Sequence, residues 1–220
     1  LHPYPFEKLT ALKAGAEPPA ALSHIALSIG EPKHATPHLV TEAVIEHLHQ
    51  LSVYPATRGM PELRAAISAW LTTRFSLPEG SLNADKHVLP VNGTREALFA
   101  FTQAMIDASE LSLVLMPNPF YQIYEGAALL AGAEPVYLNC NENSLIPDFD
   151  QVSADTWEQC SILFLCSPGN PTGAVIDTPT LQKLIRLAQK HDFIIASDEC
   201  YSEIYFDESA PPAGLLQAAA

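Results

Sequence analysis

Residues Ile162–Gly173 read ILFLCSPGNPTG. The first five are apolar without alternation, the pattern of a strand buried on both faces. The loop that follows carries Pro168, Gly169, Asn170, Pro171 and Gly173. A flexible linker uses Gly and Ser without the prolines, so this loop is stiffened. It reads as a device for holding one polar side chain, Asn170, at the carboxyl end of a strand. A cis Asn170–Pro171 bond would fix it sharply, although a simple turn uses the same residue types.

Strand and helix signals alternate on both sides of this stretch. Downstream, residues 178–191 (TPTLQKLIRLAQKH) place Leu181, Leu184, Ile185 and Ala188 at helical spacing, and 193–197 (FIIAS) read as a second buried strand. Upstream, 87–91 (HVLPV) read as a short strand and 94–106 as a helix. Residues 112–117 read as a strand and 120–131 as a helix closed by Gly132. Residues 135–140 and 161–166 complete the predicted strands. Such alternation predicts an α/β fold, a mainly parallel sheet flanked by helices.

Two further helices precede it. One starts with Thr36 as cap and Pro37 at the first helical position, then repeats Val40, Val44, Ile45 and Leu48. The other starts at Pro61, with Leu63, Ile67, Trp70 and Leu71 on one face. Residues 1–35, rich in Pro and Ala, read as an irregular arm, and residues 36–220 as the large α/β domain.

The totals bound the function. A chain of 220 residues, 48% hydrophobic, buries a real core. A net charge of −14 disfavours nucleic-acid binding. It is uneven: residues 1–110 carry 8 Lys+Arg against 11 Asp+Glu, residues 111–220 only 3 against 14. No apolar run approaches the length of a membrane span, and Leu1–Phe6, with its His, two prolines and Tyr, does not read as a signal peptide. Cys140, Cys160, Cys166 and Cys200 lack close metal-ligand spacing. They read as reduced thiols of a cytoplasmic protein, and no metal is expected.

Ligands of parallel sheets bind at the carboxyl ends of the strands. The residues there are Asn92–Arg95, Asn118–Tyr121, Ser167–Gly173 and Asp198–Tyr201, and they should share one rim. Gly93 and Thr94 place a turn and a helix start where free N–H groups and the helix dipole favour a phosphate, and Arg95 adds a cation. An ordinary helix start after a strand has the same residues. Tyr121 offers a face for a flat ring; Tyr124, one helical turn on, reads as a core residue. Asp198 ends a buried strand, where a carboxylate is costly without a positive partner. A protonated ring nitrogen serves as that partner, and a turn cap is the alternative. Tyr201 lies three residues further, and the Asn170 amide can donate to a ring oxygen. Pyridoxal 5′-phosphate satisfies all of these at once.

The stretches SPGNPTG, SDECYSEIYF, NGTREAL and YPATRGMPELRAAI resemble, in the expected order, the class I/II aminotransferases of pyridoxal-phosphate fold type I. The resemblance implies that Asp198 pairs with the pyridine nitrogen and that Asn170 and Tyr201 bond the ring oxygen. It implies that Tyr121 stacks on the ring and that Gly93, Thr94 and Arg95 wrap the phosphate. Tyr54 would reach the phosphate of a neighbouring subunit, hence a homodimer, and Gly30 would lie beside the substrate carboxylate. Residues 1–35 would include part of the small domain. The substrates would be an amino acid and a keto acid. LHPYPFEKL, LSIGEPKH, LPVNGTREALFAF and NPFYQIYEGAALLAGAEP are similar to the succinyldiaminopimelate branch of that family, on the route to lysine and diaminopimelate. Another aminotransferase, a C–S lyase, a pyridoxal-phosphate-sensing regulatory module and a domain for some other phosphate ligand are the alternatives. The family's Schiff-base lysine matches none of Lys8, Lys13, Lys33, Lys86, Lys183 and Lys190. It and the substrate-binding arginine are expected beyond Ala220, so the chain reads as the N-terminal part of a longer enzyme, truncated before the C-terminal small domain.

Overall fold

The apolar run that opens the reading lies inside a parallel sheet. In the computed structural model, which describes residues 4–30 and 33–220, the strands are β1 (Leu113–Asn118), β2 (Glu134–Asn139), β3 (Cys160–Cys166) and β4 (Ile194–Asp198). Their order is β2-β1-β3-β4 and every pairing is parallel. The helices are α1 (Pro5–Lys13), α2 (His38–His47), α3 (Pro61–Arg74), α4 (Ala84–His87), α5 (Thr94–Met105), α6 (Ile123–Leu130), α7 (Ala154–Glu158), α8 (Thr178–His191) and α9 (Leu215–Ala219).

Two central strands buried on both faces explain the unbroken apolar runs of β1 and β3. Successive side chains alternate between the faces. Val114, Met116, Ile162 and Phe164 pack with Tyr124 and Ala128 of α6 and with Leu98 of α5. Leu113, Leu115, Leu163 and Leu165 pack on the other side with Trp157 of α7, Leu181 and Leu184 of α8 and Ala218 of α9. The sheet is thus the middle of three layers. The chain runs from β1 outward to β2, then returns to place β3 on the other side of β1. That reversal opens a crevice at the carboxyl ends of β1 and β3, the place where such sheets bind ligands.

The described residues fall into two compact units, one up to Ala56 and one from Thr57 to Ala220. The first contains α1, α2 and a short 3₁₀ turn at Leu48–Ser52. Its apolar residues Val40, Val44, Ile45 and Leu48 are exposed. Leu1–Pro3 and Glu31–Pro32, which take in parts of LHPYPFEKL and LSIGEPKH, lie outside the described residues.

Four local expectations need correction. The arm expected to be irregular contains α1, which starts on a proline and has Glu7 in its first turn and Lys13 in its last, an arrangement that suits the helix dipole. Helix α2 begins one residue late, with Pro37 as its N-cap and no side-chain cap from Thr36. Residues 87–91 form no strand: the end of α4 takes His87, and Pro90 has no N–H to give a ladder. The buried residue of α3 is Arg64, held by Asp85 and the Ala84 carbonyl, while Leu63 and Trp70 are exposed.

Helix α8 matches its expected span, and its start has a definite cap. The Asp177 carboxylate accepts the Thr180 N–H at 2.9 Å. The Thr180 side chain and amide hold the Asp177 carboxyl below its ordinary value of 3.8. A depressed folded pKa stabilises above the unfolded value, and the gain is lost as pH falls through the folded one. Asp177→Ala is therefore expected to lower the melting temperature at pH 7, with the gap to wild type closing as pH falls below 3.8. A gap that stays constant with pH would contradict this.

Candidate functional site

The rim is built from strand ends. Cys166 and Asp198 are register partners at the ends of β3 and β4. The Ser167 N–H continues the pairing by donating to the Asp198 carbonyl at 3.1 Å. Asp198 is 9% exposed. One carboxylate oxygen accepts the Tyr124 hydroxyl at 2.7 Å, and the other accepts the Cys200 N–H at 3.3 Å. Among the described residues no cation pairs with it. A carboxylate this buried and without a counter-charge is costly in a folded chain.

Tyr124 ties Asp198 to the aromatic side of the rim. Its ring lies flat on Phe164, with centroids 4.5 Å apart, and meets Tyr121 edge-on at 5.9 Å. Burial first, then Cys166 and Asp198, push its phenol far above the ordinary tyrosine value. The hydroxyl therefore remains a proton donor to the carboxylate.

The stiff loop after β3 folds as a closed turn. The Gly169 N–H donates to the Ala174 carbonyl at 2.8 Å and the Gly173 N–H to the Gly169 carbonyl at 2.7 Å. Gly173, at φ +71°, adopts the left-handed region that favours glycine. A Cβ on Gly169 would meet the Thr172 hydroxyl at 2.5 Å. The Ser167 hydroxyl accepts the Ile176 N–H at 3.0 Å, sealing the base. The Asn118–Pro119, Ser167–Pro168 and Asn170–Pro171 bonds are cis. Asn170 is half-buried, its backbone N–H faces the Cys166 thiol, and no described residue bonds its side-chain amide.

Gly93 is the N-cap of α5 and offers no side chain to the first-turn N–H groups. The Thr94 hydroxyl lies 3.3 Å from the Cys200 sulfur, which joins this helix end to the loop after β4. Glu96 leans its carboxylate over Gly93, where a Cβ would stand 2.6 Å from an oxygen. A helix N-terminus favours negative charge there. Arg95 is exposed and pairs with no described residue. Burial first, then Cys166, Cys200, Asp198 and Tyr121, push the Tyr201 phenol up.

Asp198 at the end of β4, Thr94 and Arg95 at the start of α5, and Gly93, Tyr121, Asn170 and Tyr201 in loops all belong to the second unit. Tyr54, 94% exposed, and Gly30 belong to the first unit. The rim fits pyridoxal phosphate on three observations. Among the described residues, Asp198 is a buried acidic side chain without a cation, no side chain caps the α5 N-terminus beside an Arg95 that has no partner, and the Asn170 amide is uncommitted. Among the described residues no cluster of His, Cys, Asp and Glu holds a metal, and no helix is long and apolar enough to cross a membrane.

Tyr124 is the Asp198 partner that the sequence reading set aside as core. It is core, fully buried, and also the donor to Asp198. The available signal was a tyrosine on the sheet-facing side of α6, where an apolar residue packs as well. Tyr124→Phe keeps the ring contacts and removes the donor, so urea unfolding should show a loss of about 1–3 kcal/mol. An unchanged unfolding midpoint would contradict the bond.

The profile of the class I and II aminotransferases matches residues 23–219. The chain is similar to an LL-diaminopimelate aminotransferase of Maridesulfovibrio salexigens, 33% identical over 99% of this chain and 55% of that protein. Among solved structures it is similar to an aminotransferase from Neisseria meningitidis, with TM-score 0.93 and 46% identity over 100% of this chain and 55% of that one. A Helicobacter pylori aminotransferase gives TM-score 0.89 and 36% identity over 100% of this chain and 56% of that one. The chain thus spans about 55% of the length of these curated relatives.

Proposed function

The chain belongs to the class I and II aminotransferases, a pyridoxal-phosphate-dependent family of fold type I, and on that premise we propose what the whole protein does and which residues do it. The protein moves an amino group from an amino acid to a keto acid. The finer reading is transfer between glutamate and N-succinyl-2-amino-6-oxopimelate. It is the activity of an N-succinyl-LL-2,6-diaminopimelate:2-oxoglutarate aminotransferase in lysine and diaminopimelate synthesis, and the four stretches similar to that branch support it. Relatives named LL-diaminopimelate aminotransferase favour a second reading, in which the substrate carries no succinyl group.

When bound, pyridoxal phosphate supplies an electron sink for the pair left at the substrate Cα. The observation that carries the proposal is Asp198, buried beside the Tyr124 hydroxyl and without a cation among the described residues. Its carboxylate would hold the ring nitrogen in its protonated form. Asn170 and Tyr201 would donate to the ring oxygen, and Tyr121 would stack on the ring. Gly93, Thr94 and Arg95 would hold the phosphate. Tyr54 would serve the site of a second copy in a homodimer, and the exposed apolar face of α2 supports such a partner. Gly30 would border the substrate carboxylate, and the compartment is taken as the cytoplasm.

The test is a substrate panel with the full-length enzyme, measuring glutamate formed from 2-oxoglutarate. N-succinyl-LL-diaminopimelate should exceed LL-diaminopimelate in kcat/KM by at least about tenfold. A preference for the free amine would replace the finer reading with the second. No glutamate from any amino acid would overturn the aminotransferase proposal.

A further inference from the structure

The segment that carries Tyr201 leaves the sheet, travels over the surface to Pro212 and returns to α9. Its local bonds are short turns: the Ser202 N–H donates to the Glu199 carbonyl and the Ile204 N–H to the Tyr201 carbonyl, both at 3.0 Å. Turns of this kind hold the chain's shape but not its placement against the sheet. Two side chains supply the placement.

Glu199 is the first. One carboxylate oxygen accepts the Leu215 N–H at 2.7 Å and the Ser197 hydroxyl at 2.8 Å, which joins the end of β4 to the start of α9. Arg74, the last residue of α3, is the second. Its guanidinium donates to the Ser202 carbonyl at 2.9 Å, the Pro212 carbonyl at 3.2 Å and the Glu203 carboxylate at 2.6 Å. It also covers the rings of Phe75 at 4.8 Å and Tyr205 at 5.8 Å. The side chain is 10% exposed. A rigid planar fork meets two carbonyls and a carboxylate at once, which a lysine ammonium on a flexible stem does not. The end of α3 is close-packed here: a Cβ on Gly214 would stand 2.5 Å from the Phe75 ring.

We infer that Arg74 is a positioning residue for Tyr201. Its Ser202 contact lies one peptide bond after Tyr201, so the guanidinium sets where the Tyr201 backbone leaves the rim and hence where its phenol points. The inference rests on the proposed contact of Tyr201 with the cofactor's ring oxygen.

The experiment is a double-mutant cycle in the full-length enzyme, with Arg74→Ala, Tyr201→Phe and the pair. Arg74→Lys is the milder variant, kept for the case in which alanine does not fold. Two readouts are taken besides activity: the affinity of the apoenzyme for pyridoxal phosphate, and the pH at which the bound cofactor's visible band titrates. Arg74→Ala should weaken cofactor binding about tenfold, the loss of roughly one good hydrogen bond, and shift the band's titration. In the Tyr201→Phe background it should add almost nothing, because the group it positions is gone. Arg74→Lys should fall between alanine and wild type. Equal effects of the Arg74 substitution in both backgrounds would overturn the inference while leaving the role of Tyr201 intact. A Tyr201→Phe enzyme with unchanged affinity and band would overturn the role of Tyr201, and the inference with it.

Discussion

Asp198→Asn in the full-length enzyme should lower kcat/KM by at least about a hundredfold, the usual consequence of losing one preorganised charge partner. The substitution keeps size and shape. The amide oxygen still accepts the Tyr124 hydroxyl, which now donates to the carboxylate at 2.7 Å. The charge, however, is lost. A neutral amide does not favour a protonated ring nitrogen over an unprotonated one, whereas a buried carboxylate with no other cation does so strongly. Cofactor affinity should fall in parallel. Circular dichroism of the variant should match wild type, since the Tyr124 bond survives and only the longer contact from the Cys200 N–H, at 3.3 Å, is lost. A variant with turnover and cofactor affinity near wild type would remove Asp198 from the chemistry.

The largest stability effect is expected at Phe164, not at the rim. Its side chain is fully buried and its ring lies against Tyr124, with centroids 4.5 Å apart and planes 8° from parallel. Phe164→Ala should cost about 3–5 kcal/mol, the transfer term plus the cavity that close-packed neighbours fill poorly. Urea unfolding of the full-length enzyme measures it. Val175→Ala, at a position 43% exposed, is the control and should stay within about 0.5 kcal/mol. Because Tyr124 loses its platform, Phe164→Ala should also weaken the hold on Asp198, so cofactor affinity falls even where the protein remains folded. Equal stability of the two variants would contradict the packing described for this face.

Much of the fold was legible because its signals are local. The unbroken apolar runs of β1 and β3, the period of α8 and the proline that opens α3 each lie within a few residues of the feature they determine. Three of the expected rim loops follow strands, as the rule that parallel sheets bind at their carboxyl ends requires; the fourth, Asn92–Arg95, follows no strand and meets the loop after β4 through the Thr94 hydroxyl and Cys200. What escaped the reading is non-local. Tyr124 and Asp198 are separated by 74 residues, and no spacing rule links a tyrosine on one helix to an aspartate at the end of another strand. Arg64 lies outside the apolar face expected for α3, yet Asp85 and the Ala84 carbonyl draw it inward. Residues 87–91 have the composition of a strand, but composition does not supply a ladder, and Pro90 removes one of the donors.

The most direct measurement is a crystal structure of the full-length enzyme with pyridoxal phosphate bound. An Asp198 carboxylate oxygen should lie about 2.6–3.2 Å from the pyridine nitrogen, with the phosphate on the N–H groups at Gly93–Arg95 and the ring oxygen at Asn170 and Tyr201. A cofactor seated elsewhere, or one whose ring nitrogen faces another residue, would contradict the site proposed at these strand ends.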